Sequence, residues 1–214
     1  MPGRRVLDPR VACIVEWAAP YPRVAEIGAG AGAIARALAS HHHTVIATDV
    51  SGHAAARLRR DDSFIDVRQG DGFRVLSPDE VDAVVIAGLG GHRIAHILAA
   101  PFAWRRIPLI LQPSASLDAL IATLKAADQG IAMVHLVAYR RHLHPVLLTH
   151  PGHTWTPRDD EAAALLRATW HHWLQDPRAR RTDADGLRPF PQDLTLPTGA
   201  TNGGGSRVPN ANEI

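Results

Sequence analysis

The sequence contains few cysteines, lysines and aromatic residues, and these scarcities limit what the protein can be. Cys13 is the single cysteine among 214 residues, which excludes an internal disulfide and a zinc site built on several thiolates. Aromatic residues make up 5% of the chain, so few side chains are available to stack on a nucleic-acid base. Because 46% of the chain is hydrophobic and 21% is charged, we expect a globular protein.

Long apolar runs are also missing. The two longest uncharged apolar stretches, Ala83 to Gly91 and Ile107 to Leu117, are shorter than the roughly 18 residues that a membrane span needs. Early arginines precede the short apolar run Val11 to Val15, but Glu16 ends that run and no convincing signal-peptide cleavage site follows. We therefore expect a cytoplasmic protein that has no transmembrane helix and does not act on a membrane.

The positive charge is almost entirely arginine, since Lys125 is the sole lysine among 23 basic residues. The net charge of +2 does not by itself predict a nucleic-acid partner. Several arginines occur in pairs, and guanidinium groups suit bidentate contacts with phosphate. Solvated surface positions are the commoner explanation of such pairs.

Short runs rich in valine and isoleucine alternate with segments whose apolar residues recur at helical spacing. This alternation predicts an α/β fold with a doubly wound, mostly parallel sheet. We predict strands over 24–27, 44–48, 64–68, 83–87 and 109–112, with helices beginning near Gly32, Gly52, Gly90 and Ser116. The last of these helices has a one-sided apolar stripe, which predicts core packing.

The pattern changes after Gly130. Two further strands are predicted over 131–139 and 145–149, joined by the basic link 140–144, as an antiparallel pair at the sheet edge. A helix is predicted over 157–175, and the residues that follow it are polar and rich in Gly and Pro. We therefore predict one domain over 1–152, a short C-terminal helix within 153–176 and a disordered tail over 177–214.

A strand that runs into alternating glycines is the sharpest local motif, Val24-Ala25-Glu26-Ile27-Gly28-Ala29-Gly30-Ala31-Gly32. Glycines allow the backbone to pass close to a ligand and to adopt positive φ, and the helix that follows offers free N–H groups. The motif predicts a nucleotide or nucleoside site. It fits both the dinucleotide fingerprint, with Ala33 in its last position, and a methyl-donor loop.

Acidic residues at three successive strand ends favour one of these ligands. Glu26 precedes the first glycine by two residues, where a carboxylate would pair with an ammonium group and repel a pyrophosphate, which favours S-adenosylmethionine. Asp49 ends the second strand and could bind ribose hydroxyls in either ligand class, and Asp71 could accept a hydrogen bond from an adenine amino group. The alternative role for Asp49 and Asp71 is to cap the helices that follow them.

The fourth strand ends in the glycine-rich segment Gly88-Leu89-Gly90-Gly91. Methyltransferases place the acceptor base at this strand end, so the glycines could admit a flat base. A tight turn between strand and helix is the alternative explanation.

Taken together, four motifs resemble the bacterial tRNA (adenine(22)-N1)-methyltransferase family, which has the class I methyltransferase (Rossmann-like) fold. They are Val67-Arg68-Gln69-Gly70-Asp71-Gly72, Asp82 to Gly91, Ile94-Ala95-His96-Ile97-Leu98 and Leu109-Ile110-Leu111-Gln112-Pro113. The resemblance runs from about Val24 to Leu148. It implies S-adenosylmethionine as the methyl donor and N1 of an adenine in tRNA as the acceptor.

This interpretation assigns residues to the donor site and the acceptor pocket. The donor would be bound by Glu26, Gly28, Gly30, Gly32, Asp49, Val50, Gly70, Asp71, Gly72 and Gly88. The candidates for orienting the acceptor base are Gly88, Leu89, Gly90 and Gln112. Phe73, Tyr139 and Trp104 are candidate stacking platforms, although core packing is the more common role for such residues.

Three other functions stay open. The first is a methyltransferase with another acceptor, the second is a nucleotide-linked oxidoreductase, and the third is a non-catalytic RNA-binding or donor-sensing module. A metal site is not expected, because the thirteen histidines show no helical His-x-x-x-His pair with a nearby carboxylate.

Overall fold

The structure, a computed structural model, describes residues 8–41, 44–77, 79–100, 103–139 and 142–175. Strands and helices alternate through most of this range. Six α-helices are described, namely α1 (Pro9–Ala18), α2 (Ala33–Ala39), α3 (Gly52–Asp61), α4 (Gly91–Leu98), α5 (Leu117–Ala126) and α6 (Pro157–Gln175). Seven strands are described, namely β1 (Arg23–Ile27), β2 (Thr44–Asp49), β3 (Asp66–Gln69), β4 (Ala83–Gly90), β5 (Leu109–Ala115), β6 (Ile131–Tyr139) and β7 (His142–Thr149).

All the predicted strands and helices are present, but the bounds of four strands differ from the prediction by two or three residues. β4 ends at Gly90 rather than at residue 87, and β5 ends at Ala115 rather than at residue 112. Phe64 was predicted to begin the third strand, but β3 begins at Asp66 and the Phe64 side chain is 91% exposed in the preceding loop. β7 begins at His142 rather than at Pro145, so part of the predicted basic link is strand. Pro145 lacks an N–H and breaks the apolar pattern, and pairing with β6 nevertheless extends the strand past it.

The seven strands form one sheet in the order β3-β2-β1-β4-β5-β7-β6. The pairs among β1, β2, β3, β4 and β5 are parallel, whereas β7 is antiparallel to both β5 and β6. The predicted antiparallel edge pair is therefore confirmed, and β7 inserts between β5 and the edge strand β6. A dinucleotide-binding sheet has the order 3-2-1-4-5-6 with no such inserted strand.

Helices cover both faces of the sheet and bury two apolar clusters. On one face α1, α2 and α3 pack on side chains such as Val24, Val85 and Ile110. On the other face α4, α5 and α6 pack on the alternate side chains of the same strands. The predicted apolar stripe of α5, Leu117, Leu120, Ile121 and Leu124, is fully buried there.

Two of the three candidate stacking aromatics belong to the core. Phe73 and Trp104 are 1% and 3% exposed, and the Trp104 Nε1 donates to the carbonyl of Leu98 at 2.8 Å. Neither ring is available to a substrate, which confirms the core-packing alternative for both. Tyr139 is half-buried at the end of β6.

The predicted C-terminal helix is present as α6 and is tied to the sheet at its start. The buried carboxylate of Asp159 accepts hydrogen bonds from the N–H groups of Ile131 and Thr156. The predicted tail, 177–214, lies outside the described residues, and the division at residue 152 stays a prediction. Within the described ranges, no helix combines the length and apolar character of a membrane span.

Candidate functional site

The predicted site residues lie at one edge of the sheet, where the carboxyl ends of β1, β2, β3 and β4 meet. The strand order reverses between β1 and β4, because β2 and β3 lie on one side of β1 and β4 and β5 lie on the other. In open α/β sheets such a reversal leaves a crevice at the carboxyl ends, where ligands bind. The fold thus brings together residues from four separate segments.

The glycine loop between β1 and α2 has the backbone conformation that its sequence predicts. Gly28, Gly30 and Gly32 have φ values of +79°, +53° and +74°, a region that residues with a side chain rarely adopt. The N–H groups of Gly28 and Ala29 both donate to the Thr48 carbonyl, at 2.8 and 3.0 Å. The loop is therefore fixed against the end of β2.

Two of these glycines are also required by close packing. A Cβ at Gly32 would overlap the Leu58 side chain of α3, and a Cβ at Gly28 would lie 3.0 Å from Leu89 Cδ1. A Cβ at Gly30 would make only an ordinary contact, 3.9 Å from the carbonyl oxygen of Gly28. Gly30 is accordingly the least crowded glycine of the loop.

Glu26 lies buried immediately below this loop. Its side chain is 2% exposed, and Oε2 has no hydrogen-bond partner within the described part of the chain. Burial raises the pKa of Glu26 to about 8, and the negative charge of Asp49 adds to the rise, while a backbone hydrogen bond from Ala35 and the charge of Arg10 oppose it. A buried carboxylate oxygen without a partner, such as Oε2, is unfavourable by itself and suits a cationic ligand group.

Asp49 lies at the end of β2, opposite the glycine loop. Its Oδ2 accepts the N–H of Gly30 at 2.8 Å, and its Oδ1 accepts the N–H of Ser51 at 2.8 Å. Ser51, not Asp49, caps α3, because its side chain accepts the N–H of Ala54. The capping alternative therefore does not hold for Asp49, and each of its carboxylate oxygens keeps a lone pair for a further donor.

The end of β3 lies next to Asp49. The N–H of Gly70 donates to the carbonyl of Asp49 at 2.9 Å, and the following Asp71 is exposed and makes no side-chain capping hydrogen bond. Asp71 thus follows directly after a residue that contacts Asp49, and its side chain is exposed. Gly72 has a φ of +59°, and the side chain of Val50 is 48% exposed at the rim.

On the other side of β1, the end of β4 bends away from regular pairing at Gly88. The register between β4 and β5 shifts around this residue, whose φ is +75°. Such bulges recur beside active sites, where they redirect the chain. Gly88 is exposed, and a Cβ at Gly90 would meet nothing within 4 Å, so the predicted acceptor side is open where these two glycines lie.

Gln112, a candidate for orienting the acceptor base, makes all of its hydrogen bonds to the protein. Its side chain is fully buried, its Oε1 accepts the N–H of Gly88 at 3.1 Å and Nη1 of Arg10 at 3.2 Å, and its Nε2 donates to the carbonyl of Pro113 at 2.8 Å. Oε1 therefore has no acceptor capacity left for an amino group of a substrate. This geometry favours a role for Gln112 in shaping the bulge of β4 at Gly88.

Arg10 was not singled out from the sequence. Asp8 followed by Pro9 predicts a helix start, because aspartate is favoured at the N-cap and proline in the first turn. The pairing of Arg10 with Gln112, 102 residues away, has no local signal. A lone arginine at a helix start is otherwise indistinguishable from a surface residue.

Metal ligands do not converge in the described ranges, where no group of three or more His, Cys, Asp or Glu side chains could hold a metal ion. Cys13 is buried in α1, and burial, together with the charge of Glu16, raises the pKa of its thiol to about 12. The thiol is therefore not a nucleophile at neutral pH.

Comparisons with known proteins agree with this geometry. The family model described as a methyltransferase domain matches residues 7–147. A 38-residue segment is 60% identical to the tRNA (adenine(22)-N(1))-methyltransferase of Bacillus subtilis, which covers 18% of this chain and 16% of that protein. This local match confirms the resemblance that the motifs indicated, and it spans well under two thirds of the relative.

Solved structures share the fold over a larger part of the chain. The m1A22 tRNA methyltransferase TrmK of B. subtilis has a TM-score of 0.67 and 24% identity, covering 80% of this chain and 81% of that one. Sp1610 of Streptococcus pneumoniae in complex with S-adenosyl-L-methionine has a TM-score of 0.62 and 19% identity, covering 82% and 98%. At these identities the likeness concerns the fold, which is that of class I methyltransferases. Since the family model covers most of the sheet and the whole glycine loop, the chain belongs to the methyltransferase domain family.

Proposed function

We propose that the protein is an S-adenosylmethionine-dependent methyltransferase that transfers the methyl group to N1 of an adenine in tRNA. The donor half of this proposal is the binding of S-adenosylmethionine. It is supported by the carboxylates of three neighbouring strand ends, Glu26, Asp49 and Asp71, which are arranged around the glycine loop with its positive φ values. The acceptor half rests on the segment that is 60% identical to a tRNA (adenine(22)-N(1))-methyltransferase.

Each part of the donor has a chemically matched residue. The partnerless Oε2 of Glu26 suits the ammonium group of the methionine portion, and the free lone pairs of Asp49 suit the two ribose hydroxyls. The exposed Asp71, with its neighbours Gly70 and Gly72, is our candidate for accepting a hydrogen bond from the adenine amino group. The bound donor supplies an electrophilic methyl group on a sulfonium.

The protein's part in such a reaction is positioning. Adenine N1 carries a free lone pair, so its attack needs no strong base, and the rate depends on holding donor and acceptor in line. The Leu89 side chain packs against Gly28. The open side of Gly88 and Gly90 therefore lies next to the glycine loop. A tRNA acceptor would have to extrude its base to reach this edge. A tRNA substrate implies that the protein acts in the cytoplasm.

The test is to incubate the protein with labelled S-adenosylmethionine and unmodified tRNA, digest the RNA and identify the methylated nucleoside by mass spectrometry. We expect 1-methyladenosine. Methylation of another atom or another class of acceptor would contradict the acceptor half of the proposal. Isothermal titration with S-adenosylhomocysteine and with NADH tests the donor half independently, and binding of NADH alone would contradict it.

A further inference from the structure

Arg10 connects helix α1 to the acceptor side of the site. It lies in the first turn of α1, after the N-cap Asp8, and α1 packs on the sheet face that carries Glu26 and Gln112. Its Nη2 lies 3.6 Å from Asp8 Oδ2, and its Nη1 donates to Gln112 Oε1. The guanidinium thus spans from a helix start to the middle of β5.

The contact fixes the orientation of the Gln112 amide. With Oε1 facing both Arg10 and the Gly88 N–H, and Nε2 facing the Pro113 carbonyl, every one of these contacts pairs a donor with an acceptor. A flipped amide would face Arg10 and Gly88 with donors and the carbonyl of Pro113 with an acceptor. The positive charge of Arg10 strengthens the observed orientation, because hydrogen bonds from a charged donor are stronger than neutral ones.

The bulge at Gly88 positions the end of β4 next to the glycine loop. Gly88 N–H is held by Gln112, and the next residue, Leu89, packs against Gly28. A chain of direct contacts therefore runs from Arg10 through Gln112, Gly88 and Leu89 to Gly28, the first glycine of the glycine loop. A misplacement of about 1 Å between reacting groups lowers a transfer rate by about 10²-fold.

Anchoring of α1 does not by itself explain Arg10. Val11, Ile14 and Ala18 already bury the apolar face of the helix. Arg10, in contrast, keeps a buried Nε with no hydrogen-bond partner in the described part of the chain. Burying part of a guanidinium without a full set of partners is unfavourable, so an apolar residue would serve as a better anchor.

We propose that Arg10 is a positioning residue for methyl transfer. It holds the Gln112 amide, and the amide holds the bulge at Gly88, so that the acceptor side stays aligned with the glycine loop. The inference rests on the proposed function, because it concerns the same reaction. It assigns Arg10 no contact with the donor or the base.

The experiment is a double-mutant cycle with Arg10→Met, Gln112→Met and the double variant. Two quantities are measured for each protein: the single-turnover methylation rate at saturating S-adenosylmethionine and tRNA, and the Kd for S-adenosylhomocysteine. We expect each single variant to lose about 10- to 100-fold in rate, and the double variant to be no slower than the slower single variant, since residues acting in one chain are not additive. The Kd should stay within about threefold.

Arg158→Met serves as the matched control, because Arg158 is exposed in the first turn of α6 on the other face of the sheet. Its single-turnover rate should equal that of the unaltered protein. Rate losses that multiply in the double variant would overturn the proposal, as would an unchanged rate in Arg10→Met. A loss of S-adenosylhomocysteine affinity as large as the loss in rate would also overturn it, by assigning Arg10 to the donor site.

Arg10→Lys covers the case in which Arg10→Met does not fold. The shorter ammonium keeps the charge but cannot reproduce the fork that reaches both Asp8 and Gln112, so we expect a folded protein with a reduced rate. A folded Arg10→Lys protein with the full rate would overturn the proposal. If the unaltered protein binds no S-adenosylhomocysteine or methylates no tRNA, the proposed function fails instead, and that result is separate from every variant comparison.

Discussion

The carboxylate of Asp49 holds the glycine loop through the backbone of Gly30, because Asp49 Oδ2 accepts the Gly30 N–H at 2.8 Å. Gly30 has a φ of +53° and is the loop glycine with the least crowded Cβ position. The contact therefore joins the middle of the loop to the end of β2. It pre-forms the two sides of the crevice before a ligand arrives, which reduces the ordering that binding requires.

Asp49→Ala is expected to weaken S-adenosylhomocysteine binding by about 1–3 kcal/mol, because hydrogen bonds to a charged acceptor are lost both to the ribose and within the loop. Isothermal titration measures the change. Glu161→Ala is the control, since Glu161 is exposed on α6, away from this edge. An affinity equal to that of the unaltered protein would remove Asp49 from the donor site.

Gly32→Ala is expected to destabilise the fold by more than Gly152→Ala. Both glycines have positive φ, at +74° and +76°, so both substitutions carry similar backbone strain of about 1–2 kcal/mol. A Cβ at residue 32 would also overlap Leu58, whereas a Cβ at residue 152 meets nothing within 4 Å. Chemical denaturation of the two variants measures the difference, and equal losses would show that the packing of Leu58 against the loop is unimportant.

Glu26→Gln is expected to stabilise the ligand-free protein near pH 8. Burial raises the pKa of Glu26 to about 8, whereas in the unfolded chain this carboxyl titrates near 4.3. The folded state therefore keeps a proton that the unfolded state loses, so the contribution of Glu26 to stability is complete below about pH 4 and is lost as the pH rises to 8.

Glutamine does not ionise, so the Glu26→Gln variant does not lose this stability as the pH rises. The unfolding free energy of the variant minus that of the unaltered protein should therefore grow from pH 5 to pH 8, by roughly 2–4 kcal/mol. Denaturant titrations of both proteins at several pH values test this, since other titrating groups cancel in the comparison. A difference that is constant with pH would mean that Glu26 is ionised in the free protein.

Donor binding is expected to release a proton at pH 7. Glu26 with a pKa of about 8 is mostly protonated in the free protein, and pairing with the ammonium group of the donor requires the carboxylate. The affinity for S-adenosylhomocysteine should therefore rise about tenfold per pH unit between pH 6 and 7.5 and level off above 8. Titration calorimetry in phosphate and in Tris measures the proton count, and Glu26→Gln should bind without release.

The strand ends and the glycine loop could be predicted from the sequence because their signals are local. The glycine repeat directly follows a strand that is rich in apolar residues, and each of the three acidic residues lies in, or within two residues of, the strand that it marks. The strand boundaries that were wrong, in β3, β4, β5 and β7, depend on pairing with a neighbouring strand. Local propensity does not report such pairing.

The acceptor side was only partly predictable. Gly88 and Gly90 were proposed for the acceptor side because a glycine-rich strand end is visible in the sequence, whereas the burial of Gln112, another candidate for orienting the base, is visible only in the structure. The hydrogen bond between Gln112 and Gly88 depends on the register of β5 against β4, and that register shifts at Gly88. Such a shift is set by packing of the whole sheet.

The sequence by itself determined the alternation of strands and helices, the glycine loop and the acidic residues that follow the strands, since each depends on residues close together in the chain. Only the tertiary structure decided that β7 inserts between β5 and β6, that Glu26 is buried without a partner for Oε2, and that Arg10 meets Gln112 across 102 residues. These are contacts between distant segments, and their energies depend on burial and geometry that exist only once the sheet has assembled.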